Sequence, residues 1–453
     1  MMPDEKLKET VNQLEPVIGP QAKMLWYKYL NAKTPERKEA WRRRIKILAE
    51  KVLDNYADEI RLPPPTPDET SGDYQLGLVI YPDKPYSFFG LREEEFCKHV
   101  MITGMTGTGK TTAALQIIKE LKKHGKNFLV FDWQREYKKL RKLEQFKDLK
   151  VLRVGKDSTF RFNPLIPPKG TDVEEWLAKL VDVINHAYLG SYGTEYVLRG
   201  SIIKAYQQMK TLEGSNEFPT FKLVKQHLKK NFFRGRMEMW NQTGMRILES
   251  LTYEGGLGQV LNAEAKTNLK ELLKNDVIIE LDALSSDDKK FLTEALLLWI
   301  YEFRKNQGET PDLRHAIIIE EAHNILSKKK EKTEGGETIM ETTLRMIRKF
   351  GEAVIVIDQE PSKLSESIKA NTNTKITFTL GNGKDIFDMA TSMEISQEQR
   401  KSIDLLKVGH AVVKVKGRVE SPIMVYFPKF ENNTHEVREN ETGGVSLGSE
   451  AEE

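Results

Sequence analysis

The 453 residues are 30% charged and 9% aromatic, with a net charge of +3 and one cysteine, Cys97. This balance suits a globular chain with room for two or three domains, and it excludes an internal disulfide or a whole-molecule attraction to nucleic acid. No apolar run approaches the roughly 18 residues that cross a bilayer, no signal-peptide pattern opens the chain, and the sequence reads as a soluble cytoplasmic protein without a transmembrane segment.

Residues 1–62 read as a basic helical module, with Leu7, Val11, Leu14 and then Trp41, Ile45, Leu48, Val52 and Leu53 at helical spacing. Between Lys33 and Lys51 stand eight basic and three acidic residues. Residues 63–73 are rich in proline and read as a semi-extended linker. Strands are expected at Leu76–Tyr81, His99–Thr103, Asn127–Asp132 and Val151–Val154. From 172 to 275 the period turns helical, as at Trp176, Leu180, Val181, Val183 and Ile184, which marks a helical insertion. Strands return at Val277–Leu281, Ala316–Glu320, Ala353–Ile357, Lys375–Thr379 and Ala411–Val415. Short apolar runs between helices predict an α/β core in two parts, 74–171 and 276–430, with a mainly parallel sheet covered on both faces. Residues 431–453 hold seven Glu against one Arg and read as an acidic flexible tail.

The run Gly104, Met105, Thr106, Gly107, Thr108, Gly109, Lys110, Thr111 spells G-x-x-x-x-G-K-T between a predicted strand and a predicted helix. In that setting successive backbone N–H groups turn towards a phosphate chain, and the glycines permit the close approach. Lys110 reaches the β- and γ-phosphates and Thr111 offers its hydroxyl to Mg²⁺. The helix opening at Thr112 adds its dipole to the same anion site. The chain is therefore expected to bind a nucleoside triphosphate with Mg²⁺.

Much later, Glu320 and Glu321 close a buried strand, the end at which ligands of open α/β sheets sit. A nucleotide-bound Mg²⁺ needs one carboxylate, assigned to Glu320, and an attacking water needs a base, assigned to Glu321. The next strand ends at Asp358 and Gln359, where a glutamine senses the γ-phosphate or orients water. Arg345 and Arg348 stand three apart on one helix face, and either suits an arginine finger reaching a neighbouring subunit.

Taken in order, His99 to Thr112, Phe131 to Tyr137, Ile317 to Asn324, Arg348 to Gly351 with Asp358 to Ser362, and Leu406 to Ala411 resemble the HerA/FtsK superfamily of DNA-pumping ATPases, over roughly 73–428 and most closely its HerA-like members. The resemblance implies a RecA-like P-loop ATPase core, ATP with Mg²⁺ as the fuel, a homohexameric ring with ATP at the subunit junctions, and duplex DNA in the central channel. It also implies the metal role for Thr111 and Glu320, the base for Glu321, the sensor for Gln359, and a finger donated in trans by Arg345 or Arg348. Related ATPases serve conjugation, type IV secretion or virus genome packaging, so a channel or capsid partner is an alternative. A nucleotide-dependent scaffold of a defence or nuclease complex is another. Two departures stand out. Glu360 occupies the place of an arginine common in the family, and helices replace the small β-barrel that usually docks a nuclease partner. Candidate phosphate-gripping segments are Ser327–Thr338 with its four lysines, Lys222–Arg236 with Phe232 and Phe233, and the basic helix at Arg42, Arg43 and Arg44.

Overall fold

A proline opens each of the first three helices, α1 (Pro3–Ile18), α2 (Pro20–Leu30) and α3 (Pro35–Leu53), at a position where its missing N–H costs nothing. The computed structural model describes residues 3–53, 62–155, 158, 160–262, 267–329, 331 and 337–429, with two paired dipeptides at 438–439 and 445–446. The rest of the predicted acidic tail lies outside the described residues. The three helices close on their own core of Leu7, Val11, Leu14, Ala22, Leu25, Tyr29, Ile45, Ala49 and Leu53, while Trp41, Leu48 and Val52 are only half-buried.

The proline-rich stretch differs from a plain extended linker. Thr66 accepts from the Glu69 N–H and Glu69 reaches back to the Thr66 N–H, a reciprocal cap that winds Pro67–Thr70 into a helical turn. Arg92 then holds Asp68 at 2.8 Å, and the Glu420 N–H donates to Glu69 at 2.8 Å. These ties fasten the stretch along the sheet.

The central sheet has eleven strands. They are β1 (Tyr74–Ile80), β2 (Pro85–Leu91), β3 (Val100–Thr103), β4 (Asn127–Asp132), β5 (Lys150–Arg153), β6 (Val277–Glu280), β7 (Thr310–Ile319), β8 (Phe350–Asp358), β9 (Thr374–Thr377), β10 (His410–Val415) and β11 (Ile423–Tyr426). Their order is β2-β1-β11-β10-β9-β3-β8-β7-β4-β6-β5. From β9 to β5 every neighbouring pair is parallel. On the other flank β10, β11, β1 and β2 add on antiparallel. The sheet is thus mainly parallel, with an antiparallel extension built partly from two strands, β2 and β11, that the sequence reading did not anticipate.

Side chains alternate across the sheet into two apolar layers. Met101, Ile317 and Ile319 join one layer, whereas Val100, Ile102, Ala316 and Ile318 join the other. The first layer is covered by the helices that fill most of 172–275, among them Val173–Ala187, Tyr192–Gln208, Phe221–Lys230 and Arg236–Thr252. The second is covered by the helix Lys110–Lys123, through Ala113, Ala114, Ile117, Ile118 and Leu121. β3 sits between β9 and β8, so the loop that follows it emerges at the middle of the parallel strands' carboxyl ends.

Candidate nucleotide site

The loop after β3 can take its shape only because of its glycines. Gly104, Gly107 and Gly109 have φ of +152°, +80° and +128°, and a Cβ on Gly104 would stand 2.7 Å from Phe378 Cβ. The Gly409 N–H donates to the Thr108 carbonyl at 2.9 Å, so the turn before β10 braces the loop from the antiparallel side. Lys110 is buried and donates to the Met105 carbonyl at 2.9 Å. Burial holds its ammonium below the usual lysine range, although Glu321, Glu136, Asp358 and Glu320 pull the other way.

The acidic pair at the end of β7 divides sharply. Glu320 is buried and its carboxyl is pushed up to about 8, first by burial and then by the charges of Asp132 and Glu136. Glu321 turns away in the left-handed region, with φ +48° and ψ +45°. Its Oε1 accepts from the Gln359 amide at 2.7 Å and from the Gln134 amide at 3.1 Å. The Thr106 hydroxyl donates to the Gln359 side-chain oxygen at 2.6 Å, which joins the phosphate loop to the same chain of hydrogen bonds.

Several contributors lie in runs that carry the resemblance, Phe131 to Tyr137 and Ile317 to Asn324, but the sequence assigns them no role. Asp132, at the end of β4, accepts the backbone N–H groups of Gln134, Arg135, Glu136 and Tyr137 and folds that segment back over the cleft. Gln134 thereby reaches Glu321, and Glu136 accepts from the Thr111 hydroxyl. An acid ending a buried strand before a polar run was the available signal. His323 places its N–H 2.7 Å and its ring nitrogen 2.9 Å from Asp358. Burial opposes a charged ring there, but Asp358 and Glu321 outweigh it and hold His323 above the usual histidine value.

Thr106, Lys110, Thr111, Gln134, Glu136, Glu320, Glu321, Asp358 and Gln359 line a cleft of about 510 Å³ that also takes in Gly107, Thr112, Tyr426 and Lys429, with Asp132 and His323 supporting it from behind that lining. Lys110 is one buried ammonium facing Glu136, Glu320, Glu321 and Asp358. Such a surplus of carboxylate oxygen beside a threonine hydroxyl fits a hard divalent cation such as Mg²⁺.

Arg345 and Arg348 lie elsewhere. They flank the end of the helix Ile339–Ile347, just before β8 begins, whereas the cleft lies where β8 ends. Nine residues at about 3.3 Å each put those ends roughly 30 Å apart. Arg345 is paired with Glu337 at 2.8 Å, while exposed Arg348 has no ion pair among the described residues. Glu360, at the family's arginine position, pairs with Lys363 at 2.5 Å.

Of the candidate gripping segments, Lys330, Lys332, Gly335 and Gly336 lie outside the described residues, and Lys328 pairs with Glu366 at 2.5 Å. Phe232 is 83% exposed, with Arg234 over its ring, whereas Phe233 packs against the core. Arg42 is held by Asp4 at 3.0 Å and Glu39 at 3.1 Å. No helix among the described residues is long and apolar enough to cross a membrane.

Residues 89–415 match the family model described as "DUF87: Helicase HerA, central domain". Curated relatives include the "DNA double-strand break repair helicase HerA" of Sulfolobus acidocaldarius, 24% identical over 381 residues, covering 80% of this chain and 70% of that one. The protein of the same name from Saccharolobus solfataricus is 23% identical, covering 75% of this chain and 66% of its own. The chain therefore spans about two thirds of the length of such relatives. Among solved structures, VirB4 of Thermoanaerobacter pseudethanolicus superposes with a TM-score of 0.60 at 16% identity, covering 80% of this chain and 98% of that one. The bacterial conjugative coupling protein TrwB gives 0.59 at 12% identity, covering 79% and 89%. At those identities the likeness is one of fold, that of P-loop ATPases.

Proposed function

Because this chain belongs to the HerA central-domain family, we propose that it is an ATP-hydrolysing motor, assembled as a ring of six copies, that moves duplex DNA without reading its sequence. The observation that carries the reading is the convergence of Lys110, Glu321, Gln359 and Gln134, from four separate segments, on one cleft. The name of its relatives, a DNA double-strand break repair helicase, supports DNA as the cargo.

In this reading the N–H groups of the phosphate loop and the helix N-terminus bind the triphosphate, and Lys110 leaves the Met105 carbonyl for the β- and γ-phosphates. Glu321 accepts a proton from the attacking water as the water's oxygen bonds to the γ-phosphorus and the bond to the β-phosphate oxygen breaks. Gln359 and Gln134 hold that carboxylate in place, and the Thr106 link lets Gln359 register an occupied loop. Mg²⁺ held by Thr111 and Glu320 would neutralise charge on the phosphates. Of the two candidate fingers we assign Arg348 to the pocket of a neighbouring copy, a reading supported by its distance from its own cleft and its free guanidinium. The two exposures differ, and the unpaired guanidinium is the one free to move.

The test is ATP turnover by the purified chain with and without blunt duplex DNA, alongside electron microscopy with a slowly hydrolysed analogue. Rings and DNA-stimulated turnover are expected. A protein that never hydrolyses ATP, or does so undiminished as a dilute monomer, overturns the reading.

A further inference from the structure

We propose that a second cavity, of about 860 Å³ and set at the sheet edge opposite the phosphate loop, binds a nucleoside phosphate. Its floor is laid where β9 starts and β10 ends. Thr374 pairs with Val100 and with Val415, at the amino end of β3, whereas the phosphate loop leaves β3 at its carboxyl end. The two cavities have no lining residue in common.

The cations in this cavity are not all matched. Lys369 is held by Asp388 at 3.0 Å and Glu366 at 3.1 Å, and Lys414 by Glu394 at 2.7 Å. Lys375 is different. Its side chain is buried, with only 5% of the residue exposed, yet its sole hydrogen bond is to the Thr372 carbonyl at 2.8 Å and no carboxylate pairs with it among the described residues. The exposed Lys416 side chain likewise has no ion pair among them, and its charge adds to the burial that lowers Lys375 to about 8, while Glu394 pulls the other way. These two ammonium groups share the carboxylate of Glu394 with Lys414, and the surplus of positive charge facing the cavity suits a phosphate, which accepts several charge-assisted hydrogen bonds at once.

The remaining walls point to what the phosphate is attached to. Phe387 lines the cavity and stays 53% exposed, with the Arg400 guanidinium 5.1 Å over one face of its ring. The half-buried Asn373 side-chain amide also lines it and has no hydrogen-bond partner among the described residues. An aromatic face for a base, an amide for its edge and two ammoniums for its phosphate fit a nucleotide, in a volume typical of small-molecule sites. The ligand is either a free nucleotide or the phosphorylated end of a strand.

Equilibrium dialysis of the full chain with radiolabelled ADP tests this. Wild type should bind two ADP per chain, and Lys110→Ala should keep the second. Lys416→Ala and Phe387→Ala, both at exposed positions, should weaken the second site at least tenfold while basal ATP turnover is unchanged. Adding a 5′-phosphorylated tetranucleotide separates the sources: displacement of the second ADP assigns the cavity to a strand end, and no displacement assigns it to free nucleotide. One ADP per wild-type chain overturns the proposal. So do two that survive in both the Lys416 and the Phe387 variant, because the second site then lies elsewhere.

Discussion

Glu320 and Glu321 are adjacent in sequence, but the backbone gives them opposite environments. Glu320 follows directly on β7 and is buried near Asp132 and Glu136, while the left-handed turn at Glu321 presents its carboxylate to two amides. Glu321→Gln preserves the shape and removes the proposed proton acceptor. It should therefore lower ATP turnover by roughly 10²–10⁴ while leaving the ADP dissociation constant within about twofold, as read by a phosphate-release assay and a fluorescent-nucleotide titration. Unchanged turnover would sink the assignment. Gln134→Ala cuts one of the two bonds that aim the carboxylate, so its loss should be smaller and confined to kcat. The acidic pair, the phosphate loop and Gln359 are legible in sequence because each follows a continuous apolar run that marks a strand end. Gln134 and Glu136 are not, because what brings them in is the Asp132 side chain gathering four backbone N–H groups. That is a tertiary fold-back with no periodicity to read.

The same contrast recurs among elements. β3, β4 and β8 each contain a continuous apolar run buried on both faces, and the reading places them within a few residues of their observed ends. β2 opens with Pro85, carries Gly90 and does not alternate, and β11 has only four residues. Both owe their existence to partners distant in sequence, as where Leu78 meets Tyr426. His99, expected inside a strand, instead precedes β3 with φ +69° and serves as a clamp. One ring nitrogen bonds the Leu344 carbonyl at 2.6 Å and the other accepts the Val354 N–H at 3.1 Å. The helix that carries Arg345 is thereby pinned to β8. Complete burial lowers this imidazole to about 4, the Leu344 bond opposing and the Arg348 charge assisting. Its ordinary value is 6.5, so between pH 6.5 and 4 the unfolded chain takes up a proton that the folded chain refuses. Stability contributed by the neutral ring is therefore complete above pH 6.5 and is lost as pH falls towards 4, by about 3 kcal/mol in all. Urea unfolding across that range should show the decline for wild type and a shallower one for His99→Gln. Parallel curves would show that the ring is not the group responsible.

At the scale of the whole molecule, net charge is too small to draw in DNA, so any grip must come from local cations. Phosphate contacts of that kind release counter-ions, and log K for duplex binding should fall by about 0.9 per phosphate for each tenfold rise in salt. A flat response would rule out a grip through phosphates. Assembly itself makes a sharper prediction. If the pocket is completed by Arg348 from the next copy, the junction is head-to-tail, and each subunit gives its cleft to one neighbour and its arginine to the other. Arg348→Ala should then lose roughly 10³-fold or more in turnover, as an arginine finger does, and Lys110→Ala should be inactive too. Mixed in equal amounts and allowed to exchange, the two dead proteins should regain activity. Where an intact cleft of the first meets the intact arginine of the second, the pocket is whole, and random mixing makes that about a quarter of junctions. A mixture that stays inactive, although exchange is demonstrated with labelled subunits, would mean that Arg348 acts within its own chain or not at all. Repeating both assays with Arg345→Ala then decides between the two arginines, since only the true donor's variant is inactive alone and regains activity when mixed with Lys110→Ala.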